Sequence, residues 1–420
     1  MRFTVTRGAR TVVSAITALV LIGSGIAACG AIGGSGGSSQ DTITYGEIYP
    51  FTGSKVELSG WGVAGAAAGQ YEVNHHGGVL GKQLQAVTAD DAADAVDALP
   101  ALRKLLLSQP KFILGPFSPT IEAVIGDFAP NHVVDLMMGG TAQLDNMNNP
   151  YVFRTFASDS TEATAMAIHA INKGYRTASL IFDNSANSQG FVAPLTAAFR
   201  KLGGTVLSNQ SIVPAQSSYR SELVKAFAGH PQVVFASFDT QTAATLWSDA
   251  GQLGYLSTPW LGDDLMATAD YSKAFGGQAA TSLFAALPAA PTGPAYSHFL
   301  ADYEAVNHSK SPLPATFNIY DSVVIAALAM TEAKSSDPKV WVNHVVDVSS
   351  PPGTTCTDYA SCVSLLKAGK DINYEGAGGS NDFNAHHNVF SGFSIYGFAS
   401  GASGAQVAFV TAADIAKLAG

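Results

Sequence analysis

The sequence predicts an α/β protein built as two doubly wound lobes. Three observations carry this expectation. Short, continuously apolar segments alternate with longer stretches of helical pattern, as parallel strands covered by helices on both faces require. The alternation comes in two successive runs, the second starting afresh after Arg154. The stretch from Asp41 to Gly420 is also too long for one ordinary domain and natural for two. A composition of 47% hydrophobic and 13% charged residues fits large cores rather than disorder.

The first run opens with "TITYGEIYPF", a β-rich segment ending in a Pro/Gly turn. A helix of small residues is expected over Gly62 to His76, stopped by Gly77-Gly78. Then come "KQLQAVTADD" as strand, "ADAVDALPALRKLLLS" as helix with an irregularity at Pro100, and "KFILGPF" as strand. "SPTIEAVIGDFA" reads as a helix opened by Ser-Pro, and "VVDLMMGG" as another strand. After Arg154 the strands are "TASLIFDN", "TVLSNQSIV", "QVVFASF" and "PWLGDD", each preceded or followed by a helical stretch.

The amino terminus has a different plan. Arg2, Arg7 and Arg10 precede a charge-free apolar run from Thr11 to Ile26 that ends in small residues, the pattern of a secretory leader over residues 1–28. Ile26-Ala27-Ala28-Cys29 resembles a bacterial lipobox, which makes Cys29 the expected lipidation site and the membrane anchor. "GAIGGSGGSSQD" cannot pack, so residues 29–41 read as lipidated cysteine and flexible tether. No later stretch is apolar for long enough to span a membrane. The other two cysteines, Cys356 and Cys362 in "CTDYASC", are expected to form a disulfide in an exported protein; no zinc-spaced partner lies nearby. A formal net charge of −10 without a basic run argues against a nucleic-acid partner.

In doubly wound sheets ligands sit beyond the carboxyl ends of the strands. Here those ends carry Ser118, Gly139-Gly140-Thr141, Asp183-Asn184, Asp239-Thr240 and Asp263-Asp264. This set suits a small polar molecule. The glycine turn at 139–140 lacks both a GxGxxG fingerprint and a P-loop lysine, which disfavours a nucleotide, and no GxSxG elbow follows a predicted strand. The adjacent pairs His75-His76 and His386-His387 point in diverging directions, so they read as surface residues and no metal or cofactor is expected.

The order of segments resembles the leucine/isoleucine/valine-binding family of periplasmic binding proteins, the solute receptors of branched-chain amino-acid ABC transporters. The resemblance runs from about Ile43 to near the carboxyl terminus. It includes "YPFTGSKVELSGWG", "NHHGGVLGKQLQAVTADDAAD", "ILGPFSPT", "GGTAQL", "YVFRTFASD", "DNSANSQG" and "LLKAGKDINYEGAGGSNDFNAHHN". It implies the type I periplasmic binding protein fold, whose lobes close on a ligand about hinge strands and then dock on the transporter's permease subunits. Ser118 matches the family's carboxylate-binding serine, and Thr141 with the N–H groups of Gly140 and Thr141 matches the second half of that clamp. Asp264 falls where the family carries an acidic residue for the ammonium group, with Asp239 as the second candidate. Trp61 stands where a tyrosine is frequent, Asn187 where an aromatic residue is common, and Tyr320 adds a hydroxyl to the expected cleft. These departures shift the expected ligand from a purely aliphatic amino acid to a polar amino acid, amide or urea-like solute.

The family pattern also implies three crossings between lobes, near Phe156–Ser160, Ala286–Pro291 and Gly369–Glu375. The first lobe then combines 42–158 with 288–370, and the second 159–287 with 371–420. The expected protein is a monomeric, extracytoplasmic binding lipoprotein, not an enzyme. Two other classes stay open: a sensor that signals through a partner protein, and a secreted enzyme, for which Asp263 and Asp264 form the one tempting carboxylate pair.

Overall fold

The computed structural model describes residues 42–53, 55–288, 293–398 and 404–419. The leader, Cys29 and the tether lie outside them. The first sheet is wholly parallel: β1 (Ile43–Tyr49), β2 (Leu84–Asp90), β3 (Phe112–Leu114), β4 (Val134–Met137) and β5 (Val152–Arg154), in the order β2-β1-β3-β4-β5. The second repeats this order with β6 (Thr177–Asp183), β7 (Thr205–Ile212), β8 (Val233–Ser237), β9 (Trp260–Gly262) and β10 (Leu283–Pro288), as β7-β6-β8-β9-β10. A small sheet holds β11 (Thr354–Cys356), β12 (Ile372–Gly376) and β13 (Gly379–Ser380). Antiparallel β14 (Phe393–Gly397) and β15 (Ala405–Val410) then extend the second sheet beyond β10. Strand order reverses between β1 and β3 and between β6 and β8, which places a crevice at those carboxyl ends.

The apolar strands are buried on both faces, as covered parallel strands must be; every residue of β3, β4, β5 and β8 is buried. The small-residue helix runs from Glu57 to His75, starting five residues before the expected Gly62. Its glycines allow close approach to the helix Thr316–Glu332. A Cβ on Gly65 would overlap the Thr316 carbonyl, and one on Gly69 would press on Val323 at 2.7 Å. Gly60, Gly62 and Gly65 match the spacing of a dinucleotide fingerprint, yet all lie inside the helix, and Gly62 is needed for the Tyr49 ring. Helix Thr316–Glu332 is buried all round, every residue from Thr316 to Met330 included, because it packs at the centre of the first lobe.

The cores show where the chain changes lobe. Phe156 belongs to the core of the first sheet and Ala157 to that of the second. β10 ends at Pro288 in the second sheet, while Phe299 and Tyr303 of the helix Pro294–Asn307 lie in the first-lobe core. The third crossing differs from expectation. Ile372, Tyr374, Ala377, Phe383 and Val389 all pack in the first-lobe core, and Phe393 is the first to join the second. The passage therefore lies at 390–392 rather than near 369–375.

Asp321 supplies the reason. From the central helix its carboxylate accepts hydrogen bonds from Tyr374 Oη (2.8 Å), Ala377 N–H (2.8 Å) and Gly378 N–H (2.6 Å). The glycines of "YEGAGG" leave the room this carboxylate occupies, since a Cβ on Gly376 or Gly378 would collide with it. The segment is pinned to the first lobe before it can leave. Cys356 and Cys362 are disulfide-bonded and buried in that same core.

Candidate functional site

A cavity of about 90 Å³ lies where the carboxyl ends of the two sheets face each other. The first lobe lines it with Lys55 from the loop after β1, Leu58 and Trp61 from the following helix, Phe117 and Ser118 after β3, and Met138 and Gly140 after β4. The second lobe contributes Asn187 after β6, Asp264 and Leu265 after β9, and Asp159 just past the first crossing at Phe156. Two roomier hollows, about 570 Å³ around His76 and Tyr359 and about 450 Å³ around Arg154 and His386, lie away from this crevice.

Five of the expected residues thus meet: Trp61, Ser118, Gly140, Asn187 and Asp264. Ser118 is the first residue of its helix, and its hydroxyl does not cap that helix. It accepts instead from the Thr141 N–H at 3.2 Å, which ties the β3 and β4 loops together. Thr141 is buried, and its own hydroxyl donates to Glu122 at 3.1 Å and also meets Gln143, so it does not line the cavity.

Three expectations need correction. Tyr320 is a core residue: it is 1% exposed and donates to Asp302 at 2.9 Å, held there by the packing of its apolar helix. Asp239 caps the helix Thr240–Gln252 by accepting from Thr242 N–H at 2.7 Å, and it does not line the cavity. The histidines divide. His75 and His76 are exposed, but His386 and His387 are half-buried, their ring nitrogens meeting the carbonyls of Met147 (3.0 Å) and Val152 (3.1 Å).

Lys55, Asp159, Glu162 and Arg154 are the residues that sequence reasoning did not single out. Lys55 and Asp159 both sit in motifs already quoted, at or just past strand ends, which was the available signal. Asp159 donates its N–H to the Gly140 carbonyl at 2.7 Å, and its carboxylate fills the space a Cβ on residue 140 would take. The glycine therefore makes room for an acid. Arg154, at the end of β5, is 1% exposed; it donates to the carbonyls of Gly140 (3.3 Å) and Thr141 (3.0 Å) and to Asp145 Oδ1 (2.6 Å). This holds the β4 loop in place.

Acids crowd the second-lobe side. Asp264 N–H donates to Glu162 Oε1 at 2.8 Å, and fully buried Asp263 accepts from Ser237 Oγ at 2.6 Å, which in turn meets Ser188 Oγ at 2.9 Å. Burial pushes Asp263 up to about 7, with Asp264 adding repulsion and Lys55 opposing it. Burial likewise lifts Asp264 to about 6, against backbone hydrogen bonding and the Lys55 charge. Asp159 and Glu162 are raised well above the usual range by burial first and by neighbouring carboxylates second.

A family model for the periplasmic binding proteins matches residues 42–401. The chain belongs to that family. The Leu/Ile/Val-binding protein homolog 3 of Brucella melitensis is 25% identical over 74% of this chain and 84% of its own length. The substrate-binding protein BasB of a chemotactic signal transduction system in Halobacterium salinarum is 24% identical, covering 82% and 85%. Among solved structures, the branched-chain amino acid transporter binding protein LivJ of Streptococcus pneumoniae, in complex with isoleucine, superposes with a TM-score of 0.71 at 19% identity, covering 88% of this chain and 99% of that one. The fold is that of the type I periplasmic binding proteins, and membership implies a location outside the cytoplasm. Among the described residues no helix is long and apolar enough to cross a membrane.

Proposed function

We propose that the protein is the solute-binding component of an ABC importer. It captures an amino acid or related small polar solute between its closing lobes and delivers it to the permease subunits. The observation that carries this reading is the cavity itself. Hydroxyl and amide groups of one lobe and carboxylates of the other face one small space at two topological switch points. Closure around a solute excludes water and strengthens charge-assisted hydrogen bonds on both walls. In this reading the role is binding rather than turnover.

The test is a thermal-shift screen against amino acids, simple amides, urea and small carboxylates. A solute that binds only the folded state raises its stability by about 2.7 kcal/mol at a hundred times its dissociation constant. A shift confined to one chemical class supports the reading; none with any solute overturns it. Lipidation of Cys29 belongs to the same proposal. Cys29→Ala should release the protein into the medium, and retention in the membrane fraction would contradict the anchor. The Halobacterium relative favours a second reading, sensing through a partner protein. Loss of solute uptake on deletion of the gene separates import from sensing.

A further inference from the structure

We propose that the solute carries a net positive charge, on an amine or guanidinium group, rather than the balanced charges of a neutral amino acid. This rests on the solute-binding reading above. Four carboxylates stand at the cavity: Asp159 and Asp264 on its lining, with Glu162 and Asp263 behind them. Asp159 is 6% exposed, and its Oδ2 has no hydrogen-bond partner. Asp263 is fully buried, and its Oδ1 has none either. These are acceptors in place without donors.

The charges facing the cluster leave it in deficit. Lys55 lines the cavity and acts on Asp263 and Asp264. Arg154 acts on Asp159, but its guanidinium is already bonded to Asp145 and to two backbone carbonyls. Asp183 adds a further negative neighbour to Asp263, though its carboxylate accepts from Ser185 N–H at 2.9 Å.

A buried carboxylate without a counter-charge costs several kcal/mol, and a protein escapes that cost by holding a proton or a cation. The raised pKa values are the first escape, used while the cavity has no cation. A cationic solute provides the second. A neutral amino acid brings its own carboxylate into the same small space and restores the deficit. Trp61 on the opposite wall suits a cation as well, since an aromatic face attracts positive charge.

The experiment compares isosteric pairs in which one member is cationic: guanidinium with urea, arginine with citrulline, ornithine with norleucine. Affinities come from titration calorimetry on the wild type and on Asp159→Asn/Asp264→Asn, whose folding is checked by circular dichroism. The cationic member of any pair that binds should be at least tenfold tighter. The double variant should erase that preference, and raising salt to several times 0.1 M, where the Debye length falls below about 10 Å, should weaken the cation more than its neutral partner. Near pH 7, titration in two buffers of different ionisation enthalpy should show proton release as the carboxyls ionise beside the cation. Neutral members binding as tightly as their cationic partners, or protons taken up with the cation, would overturn this inference and leave the solute-binding reading intact. If neither these six nor any amino acid binds, the solute-binding reading falls first.

Discussion

The first sheet and the parallel part of the second repeat one strand order, β2-β1-β3-β4-β5 against β7-β6-β8-β9-β10, and both turn their carboxyl ends to the same cavity. What they place there differs. The first lobe offers Ser118, Gly140, Lys55 and the Trp61 ring. The second offers Asp264, backed by Asp263 and Glu162, and Asn187. The repeated topology sets where a ligand can sit; the residues on the loops set which charge each wall presents. An asymmetric solute, held by unlike ends, is what such a pair of walls accommodates.

The comparison breaks most readily through pH, because the effect sums over several groups. Acids whose folded-state pKa exceeds the unfolded value stabilise the fold below the unfolded value and lose that contribution as pH rises through the folded one. Asp263 and Asp264 stand at about 7 and about 6 against an ordinary 3.8, raised chiefly by burial. In the first lobe burial lifts Glu47 to about 7 from 4.5. The melting temperature of the solute-free protein should therefore fall as pH rises from about 4 to about 7, and Asp263→Asn should flatten the slope. A melting temperature that climbs across that window would contradict the buried-acid account.

Next in size is Arg154→Met. It strands Asp145 and two carbonyls around a buried site, at a cost of about 3–5 kcal/mol in denaturant unfolding. A change within about 0.5 kcal/mol would mean the β4 loop is held by something else. Smaller again are the two walls taken singly. Asp264→Asn should weaken solute binding about 10–100-fold, as a charged hydrogen-bond partner is worth about 1.5–3 kcal/mol, and Ser118→Ala only about 5-fold. Equal losses would sink the asymmetry between the lobes.

The fold was legible because its signal is local and repeated. Continuous apolar runs such as "KFILGPF" and "QVVFASF" are strands, and the end of the first lines the cavity with Phe117 and Ser118. The third crossing was not legible, because the apolar pattern of "INYEG" suits either lobe and Asp321, about fifty residues earlier, decides between them. Ser118, Gly140 and Asp264 could be placed from strand ends and family pattern. Tyr320 could not be excluded, since a tyrosine on a largely apolar helix reads alike whether it meets a cavity or Asp302. The clustering of Asp159 and Glu162 with Asp264 joins residues about a hundred positions apart, which no spacing rule reveals.

Trp61 allows the most direct test that a solute occupies this cleft. It lines the cavity, whereas Trp247, Trp260 and Trp341 are at most 1% exposed inside the cores. Tryptophan emission should be titrated with whichever solute raises the melting temperature, in the wild type and in Trp61→Phe. A saturable emission change that disappears in Trp61→Phe, while the thermal shift persists, is the expected result. A thermal shift with no emission change in the wild type, or an emission change that survives the substitution, would place the bound solute elsewhere.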